Sequence, residues 1–253
     1  MKTYVNIGSS QEFKLSRALL VYGESSYNGY PYRHPFVTLH DVIHQEDEVR
    51  LGAAQLLTPD VLCALVADLG QSLPVEILPE CTLARTADMV VWWSPASIRT
   101  MFFSDRGGDK ALRGLSGKQY PHPPLLFKAS GSNLWIRALA ENRRPEAKTK
   151  VCMAPYWNCY DNAVVCTGTM RIPQQKSVAA IREWEQSFFR SAFSHAAGVT
   201  KHTLYLGGVL ALWRSLQGKK QFPAKYLVPL DQTLEQFVTS NDTSYTNQAR
   251  NNP

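Results

Sequence analysis

The sequence predicts an α+β fold in which helices cover an antiparallel sheet, and three observations carry that prediction. Short runs of β-branched and aromatic residues crowd the first two thirds of the chain. Turn formers separate them at spacings that suit hairpins better than crossovers. Strong helical periodicity is concentrated after residue 177.

In chain order, strands are predicted at RALLVY (17–22), PFVTLHDV (35–42), VRLGAAQLL (49–57), VEILPE (75–80), DMVVWWS (88–94), IRTMFFS (98–104), PPLLFKA (123–129) and NLWIRAL (133–139). Breakers such as Ser94-Pro95 and Ser130-Gly131 close several of them. One helix interrupts the series, with Thr58 as N-cap, Pro59 as first residue and Gly70 as stop. Leu62, Leu65, Val66 and Leu69 share one of its faces, and Cys63 beside that face is expected in a core. A stronger helix runs from the cap Ser177 to Gly198, where Ile181, Trp184, Phe188, Phe189, Ala192 and Phe193 recur every three or four residues. Two more helices are predicted, over 204–217 ended by Gly218, and over 229–238 opened by Pro229. The stretch from Thr239 has one large apolar residue, Tyr245, too little to order a segment. The expected organisation is an N-terminal β-rich extension (1–57), a main domain (58–238) and a disordered tail (239–253).

The balance of 44% hydrophobic and 19% charged residues is that of an ordinary globular protein. No apolar run reaches signal-peptide or membrane-span length, so a cytoplasmic protein without membrane attachment is expected. Five cysteines in such a chain predict free thiols. Residues 1–125 hold 11 Lys and Arg against 13 Asp and Glu, a net −2; residues 126–253 hold 16 against 8, a net +8. Those basic residues (Arg143-Arg144, Lys148, Lys150, Lys219-Lys220) are scattered and lack interleaved aromatics, which argues against a nucleic-acid platform. A DNA-binding role would require steeply salt-dependent binding.

Metal and phosphate chemistry lack their patterns. Cys152, Cys159 and Cys166 lie seven apart with no His-x3-5-His following them, and His34, His40 and His44 form no HExxH. The pairs Gly107-Gly108 and Gly207-Gly208 lack phosphate-loop context. No metal or cofactor is expected.

Nucleophilic catalysis remains, and NCYDNAVVC (158–166) is where it would sit. A reactive thiol needs partial exposure and local donors or positive charge. Cys166 ends the run Ala163-Val164-Val165, and Thr167-Gly168 after it leaves room for a substrate backbone. Cys159 is a distant second, and Cys152, inside KVCMAP, would be quieted by burial. His195, near the end of the aromatic helix, is the candidate imidazolium partner for Cys166; His202 and His122 are looser candidates.

YPHPPLLF (120–127) followed by APYWNCYDNAVVCTG resembles the ubiquitin-conjugating enzyme fold, whose signature combines a YPxxPP-type segment, His-Pro-Asn and a cysteine eight residues after that asparagine. Asn158 and Cys166 keep that spacing, and Asn162-Ala163 stand where that family often has Asn-Gly. WWSPASIRTMFF, YPHPPLLF, ENRRPEAKTKVCMAPYWN, VVCTG and WEQSFFRSAFSH together resemble PRTRC system protein B, a bacterial mobile-element family encoded beside a ThiF-like activating enzyme, a ubiquitin-like protein and a ParB-related protein. The resemblance covers about residues 88–230. It implies a conjugating-enzyme-like core with extra N-terminal strands, and a cysteine, Cys166, that accepts a ubiquitin-like protein as a thioester from the activating enzyme. It gives Asn158 the role of steadying the oxyanion or the adjacent loop, and other cassette proteins would be further partners. Two departures stand out: Tyr156-Trp157 replace His-Pro, leaving His195 as a possible substitute brace, and 30 residues separate Phe127 from Asn158, where ordinary members have far fewer. The rival readings are a catalytically inactive scaffold of the same cassette and a cysteine hydrolase using Cys166 and His195.

Overall fold

The computed structural model describes residues 4–6, 12–22, 36–45, 48–68, 76–104, 110–174, 177–194 and 202–240. The chain divides into two compact units, 1–76 and 77–253.

In the first unit, β1 (Tyr4–Asn6) pairs with β2 (Glu12–Lys14), and β3 (Arg17–Tyr22) pairs with β4 (Phe36–Gln45). β4 also pairs with β5 (Glu48–Leu51) and β6 (Gln55–Leu56), all antiparallel. The single strand expected at 49–57 is broken at Gly52, whose amide bonds the Asp41 carbonyl at 2.8 Å. A Cβ there would lie 3.2 Å from that same oxygen, so glycine suits the break. Helix α1 (Pro59–Asp68) starts where Thr58 and Pro59 predict; the Val61 amide donates to the Thr58 hydroxyl at 3.3 Å. Cys63 is exposed, not in a core as expected, and so is Leu62; the half-buried positions are Val61, Leu65 and Val66.

The second unit contains, in chain order, β7 (Thr82–Arg85), β8 (Met89–Ser94), β9 (Ser97–Phe103), β10 (Lys118–His122), β11 (Leu125–Ser130), β12 (Asn133–Ala138), β13 (Lys150–Cys152), α2 (Ile181–Arg190), β14 (Ala192–Phe193), α3 (Gly208–Leu216), β15 (Pro229–Thr233) and α4 (Leu234–Thr239). Six strands form an antiparallel sheet in the order β15-β13-β12-β11-β8-β7, and a smaller sheet runs β10-β9-β14. The α+β class therefore holds.

Period-two alternation sends side chains of the large sheet to two faces. Val90, Trp92, Phe127, Ala129, Leu134 and Ile136 join Trp184 and Phe188 of α2 and Leu212, Trp213 and Leu216 of α3 in the main core. The other side holds a smaller cluster, in which Leu126, Trp135 and Val151 meet Val164 and the α4 residues Leu234 and Phe237. Buried Lys128 donates to the carbonyls of Val238 (2.9 Å) and Ser240, satisfying the C-terminus of α4. Glu185 ties α2 to the sheets, accepting from Arg99 (2.7 Å), the Trp92 indole (3.1 Å) and the Ser94 hydroxyl (3.3 Å).

Several expected elements differ. The helix expected through Gly198 ends at Arg190: Ser191 is extended, its hydroxyl bonds the Phe188 carbonyl at 2.7 Å, and Ala192–Phe193 run parallel to Phe102–Phe103 of β9. Strand pairing there overrides helical periodicity; residues 195–198 of that segment lie outside the described residues. The 204–217 helix begins only at Gly208. Pro229 opens a strand, and the final helix starts after Thr233, which forms a capping box with Gln236. The strand expected at 75–80 is absent among its described residues; the Thr82 amide bonds the Pro79 carbonyl in a turn, and β7 follows. Sequence patterning misses β10 because of Pro121, which is tolerated there since β10 edges its sheet.

Candidate active site

NCYDNAVVC folds as a tight hairpin. The Tyr160 amide bonds the Val164 carbonyl at 2.8 Å, Cys159 bridges Val165, and the Cys166 amide donates to the Asn158 carbonyl at 2.7 Å. The turn closes with the Ala163 amide on the Tyr160 carbonyl (2.9 Å) and the Val164 amide on Asn162 Oδ1 (3.2 Å). Ala163 has φ 72°, a left-handed conformation that glycine adopts more easily. The hairpin docks on β12: the Val165 amide bonds the Leu134 carbonyl at 2.8 Å, and the Ile136 amide bonds the Ala163 carbonyl at 2.9 Å. Its eight-residue spacing thus places Asn158 and Cys166 directly opposite each other.

The thiols differ sharply in setting. Cys166 is half-buried at the end of the hairpin, before a turn in which the Met170 amide bonds the Thr167 carbonyl at 2.6 Å. Gly168 there is exposed with φ 42°. Cys159, across the strand from Val165, is 1% exposed, and burial pushes its thiol up to about 12 despite the Arg137 cation. Burial also raises the Cys152 thiol. A buried neutral thiol is a poor nucleophile.

Asn158 is buried, and its amide serves the backbone of β14: Nδ2 donates to the Ala192 carbonyl at 3.3 Å and Oδ1 accepts from the Ser194 amide at 3.4 Å. The side chain pairs with that strand much as a neighbouring backbone would, which locks the hairpin base to the smaller sheet. A second Nδ2 proton is the donor the amide retains.

Two residues upstream, Tyr156 is fully buried, with His122 Nδ1 2.8 Å from its hydroxyl. His122 Nε2 faces the Arg99 carbonyl at 3.4 Å, so the neutral ring donates from Nε2 and accepts the Tyr156 proton at Nδ1. Burial lowers the imidazole to about 3. Tyr156, standing where the resembled signature has histidine, is therefore braced by a histidine from the YPHPP segment. Arg137 supports the hairpin tip: it is buried, donates to the Asp161 carbonyl at 2.7 Å and to Gln232 Oε1 at 3.1 Å, and burial lowers it to about 10.

The structure thus brings Cys166 and Asn158 together. His195 lies outside the described residues. His202 is buried with Nδ1 3.3 Å from the Ala154 carbonyl, and burial lowers its pKa. Sequence reasoning missed Arg137, which pins the hairpin tip. Its signal is a lone cation in the apolar strand NLWIRAL. Among the described residues no cluster of His, Cys, Asp and Glu could hold a metal, and no helix is long and apolar enough to cross a membrane.

Residues 59–230 match the model of a family described as Prokaryotic E2 family D, from the first residue of α1 into β15. No curated protein and no solved structure matches the chain.

Proposed function

Because the chain belongs to Prokaryotic E2 family D, we propose that it carries a ubiquitin-like protein as a thioester on Cys166 and passes it to an amine. The partners are a ThiF-like activating enzyme and the ubiquitin-like protein of a PRTRC-type mobile-element cassette. The hairpin register carries this reading. It sets a half-exposed Cys166 opposite Asn158, while the neighbouring Cys159 is sealed in the core.

The chemistry is acyl exchange. Cys166 Sγ attacks the thioester carbonyl of the activated ubiquitin-like protein; a new C–S bond forms, the old one breaks, and the activating enzyme's sulfur leaves with the electron pair. An acceptor amine then attacks the Cys166 thioester, its nitrogen loses a proton to solvent, and Cys166 leaves as thiolate. Asn158 supports this by holding the hairpin against β14, the loop-steadying one of its two expected roles. The His122–Tyr156 pair fixes the chain entering the hairpin.

The test is charging with the cognate activating enzyme, ubiquitin-like protein and ATP, read on non-reducing gels. The expected result is a thiol-sensitive adduct that persists in Cys159→Ala, disappears in Cys166→Ala, and becomes a thiol-resistant ester in Cys166→Ser. A wild-type protein that binds the ubiquitin-like protein without charging would replace this reading with the scaffold.

A further inference from the structure

The chain that follows Cys166 folds back along α2. The Ala192 amide, just past the helix, donates to the Thr169 hydroxyl at 2.8 Å, and the Ser187 hydroxyl donates to the Arg171 carbonyl. This segment therefore runs antiparallel to the helix, and it leaves Cys166 at the helix's C-terminal end. Asn158 fixes that end: its carbonyl accepts from the Cys166 amide at 2.7 Å, and its side chain donates to the Ala192 carbonyl at 3.3 Å. One residue, Ala192, thus bonds both Thr169 and the asparagine that stands opposite Cys166.

Between the segment and the outer face of α2 lies a cleft of about 300 Å³, lined by Thr169, Arg171, Glu183, Gln186, Ser187 and Arg190. Helical spacing puts Glu183, Ser187 and Arg190 on one face at successive turns. Arg190 lies one turn from Ser187 towards Ala192, so the cleft is cationic at the end nearest Cys166, and Glu183 stands at the far end. Arg171 enters between them. Both guanidiniums are exposed, and neither has an ion-pair or hydrogen-bond partner among the described residues.

We propose that this cleft is the acceptor subsite: it binds an acidic segment of the protein to be modified and so brings a neighbouring lysine amine to the Cys166 thioester. The assignment rests on the transfer function proposed above. Two guanidiniums around one cleft repel each other and gain by sharing a carboxylate, to which each presents a planar fork of donors. The Thr169 oxygen accepts from Ala192, which leaves its hydroxyl proton as a further donor at the thiol end. Glu183 gives the cleft polarity, since acidic groups close to the amine are attracted and those further along are repelled. The ubiquitin-like protein spends its own C-terminal carboxylate in the thioester, whereas the acceptor amine must still be held within reach of it. From that bound position the nitrogen forms the C–N bond, the C–S bond breaks, Cys166 leaves as thiolate and the amine proton goes to solvent. The cleft exchanges no atoms.

The test is discharge of the preformed thioester, with ATP removed, onto two capped peptides that each carry one lysine. Two aspartates follow the lysine in one peptide and two asparagines in the other. Exposed charge pairs are individually weak, so the aspartate peptide should react about three- to tenfold faster at low salt, with the preference eroded at high salt. Arg171→Gln and Arg190→Gln together should bring the two rates level. Equal rates in the wild type, or a preference that survives the double substitution, would overturn the proposal. Arg190→Glu should favour the asparagine peptide, and it decides the matter if the double variant fails to fold; a retained aspartate preference again overturns the proposal.

A second readout needs no charging. Iodoacetate and iodoacetamide both react with the Cys166 thiolate, so the ratio of their rates cancels thiolate abundance and reads the attraction of a carboxylate to the site. The double variant should lower that ratio about two- to fivefold at low salt, and an unchanged ratio would overturn the proposal. A lowered ratio without wild-type charging sinks the transfer function and leaves the cleft as a carboxylate site. Normal charging with neither a peptide preference nor a change of ratio sinks the cleft alone.

Discussion

Lowering the pH should destabilise the second unit through His122, by an amount the structure sets. In the fold this imidazole is neutral with a pKa of about 3, against 6.5 in the unfolded chain. Between those values the unfolded chain binds the extra proton, so stability rises with pH across the window and is lost as pH falls below 6.5. The full gap of 6.5 to about 3, at 1.36 kcal/mol per pH unit, is about 5 kcal/mol, reached only below pH 3. From pH 7 to pH 5 the loss is about 2 kcal/mol by the same relation. All six tryptophans (Trp92, Trp93, Trp135, Trp157, Trp184 and Trp213) lie in the second unit, so urea unfolding followed by tryptophan fluorescence reports on it specifically. His122→Phe should remove the pH-dependent loss while costing about 1–3 kcal/mol at every pH, because the Tyr156 hydroxyl is left unpaired in the core. Adding Tyr156→Phe should recover part of that constant cost. Parallel pH profiles for wild type and His122→Phe would refute the reasoning, since another group would then be carrying the acid sensitivity.

Other outcomes follow from the hairpin. Arg137→Met should lose about 1–3 kcal/mol in the same unfolding measurement, because the Asp161 carbonyl and Gln232 lose the donor that a buried guanidinium gives them. Ala163→Gly should be neutral within about 1 kcal/mol, relief of a left-handed residue being offset by a lost buried methyl and a freer unfolded chain. Ala163→Val should cost more than about 2 kcal/mol, since a β-branched side chain resists φ 72°. Native-state alkylation between pH 5 and 9 should leave Cys159 unlabelled, with labelling appearing only in denaturant; labelling of the native protein at Cys159 would show that the hairpin opens.

Where local chemistry dominates, the sequence was legible. DMVVWWS, PPLLFKA and NLWIRAL become β8, β11 and β12 because their apolar content and flanking turns agree with the pairing they make. Thr58-Pro59 starts a helix because an N-cap needs nothing beyond its own turn. The end of the aromatic helix was not legible: Ala192 and Phe193 keep helical spacing, and only strand β9, nearly a hundred residues earlier, makes an extended backbone preferable there. Nor was Pro229, an ordinary helix opener until β13 offers it a sheet edge.

The candidate site divides along the same line. The sequence by itself determined that Asn158 and Cys166 sit eight apart around a turn-forming Tyr-Asp-Asn-Ala, because a hairpin that short has little choice of register. It could not show which face each side chain takes, since that depends on the β12 edge that receives the hairpin. Tertiary structure alone buried Cys159 and left Cys166 half-open. It also paired Tyr156 with His122, 34 residues away, and set the Asn158 amide against β14. Spacing is a property of the chain; burial and hydrogen-bond partners are properties of what the fold places next to it.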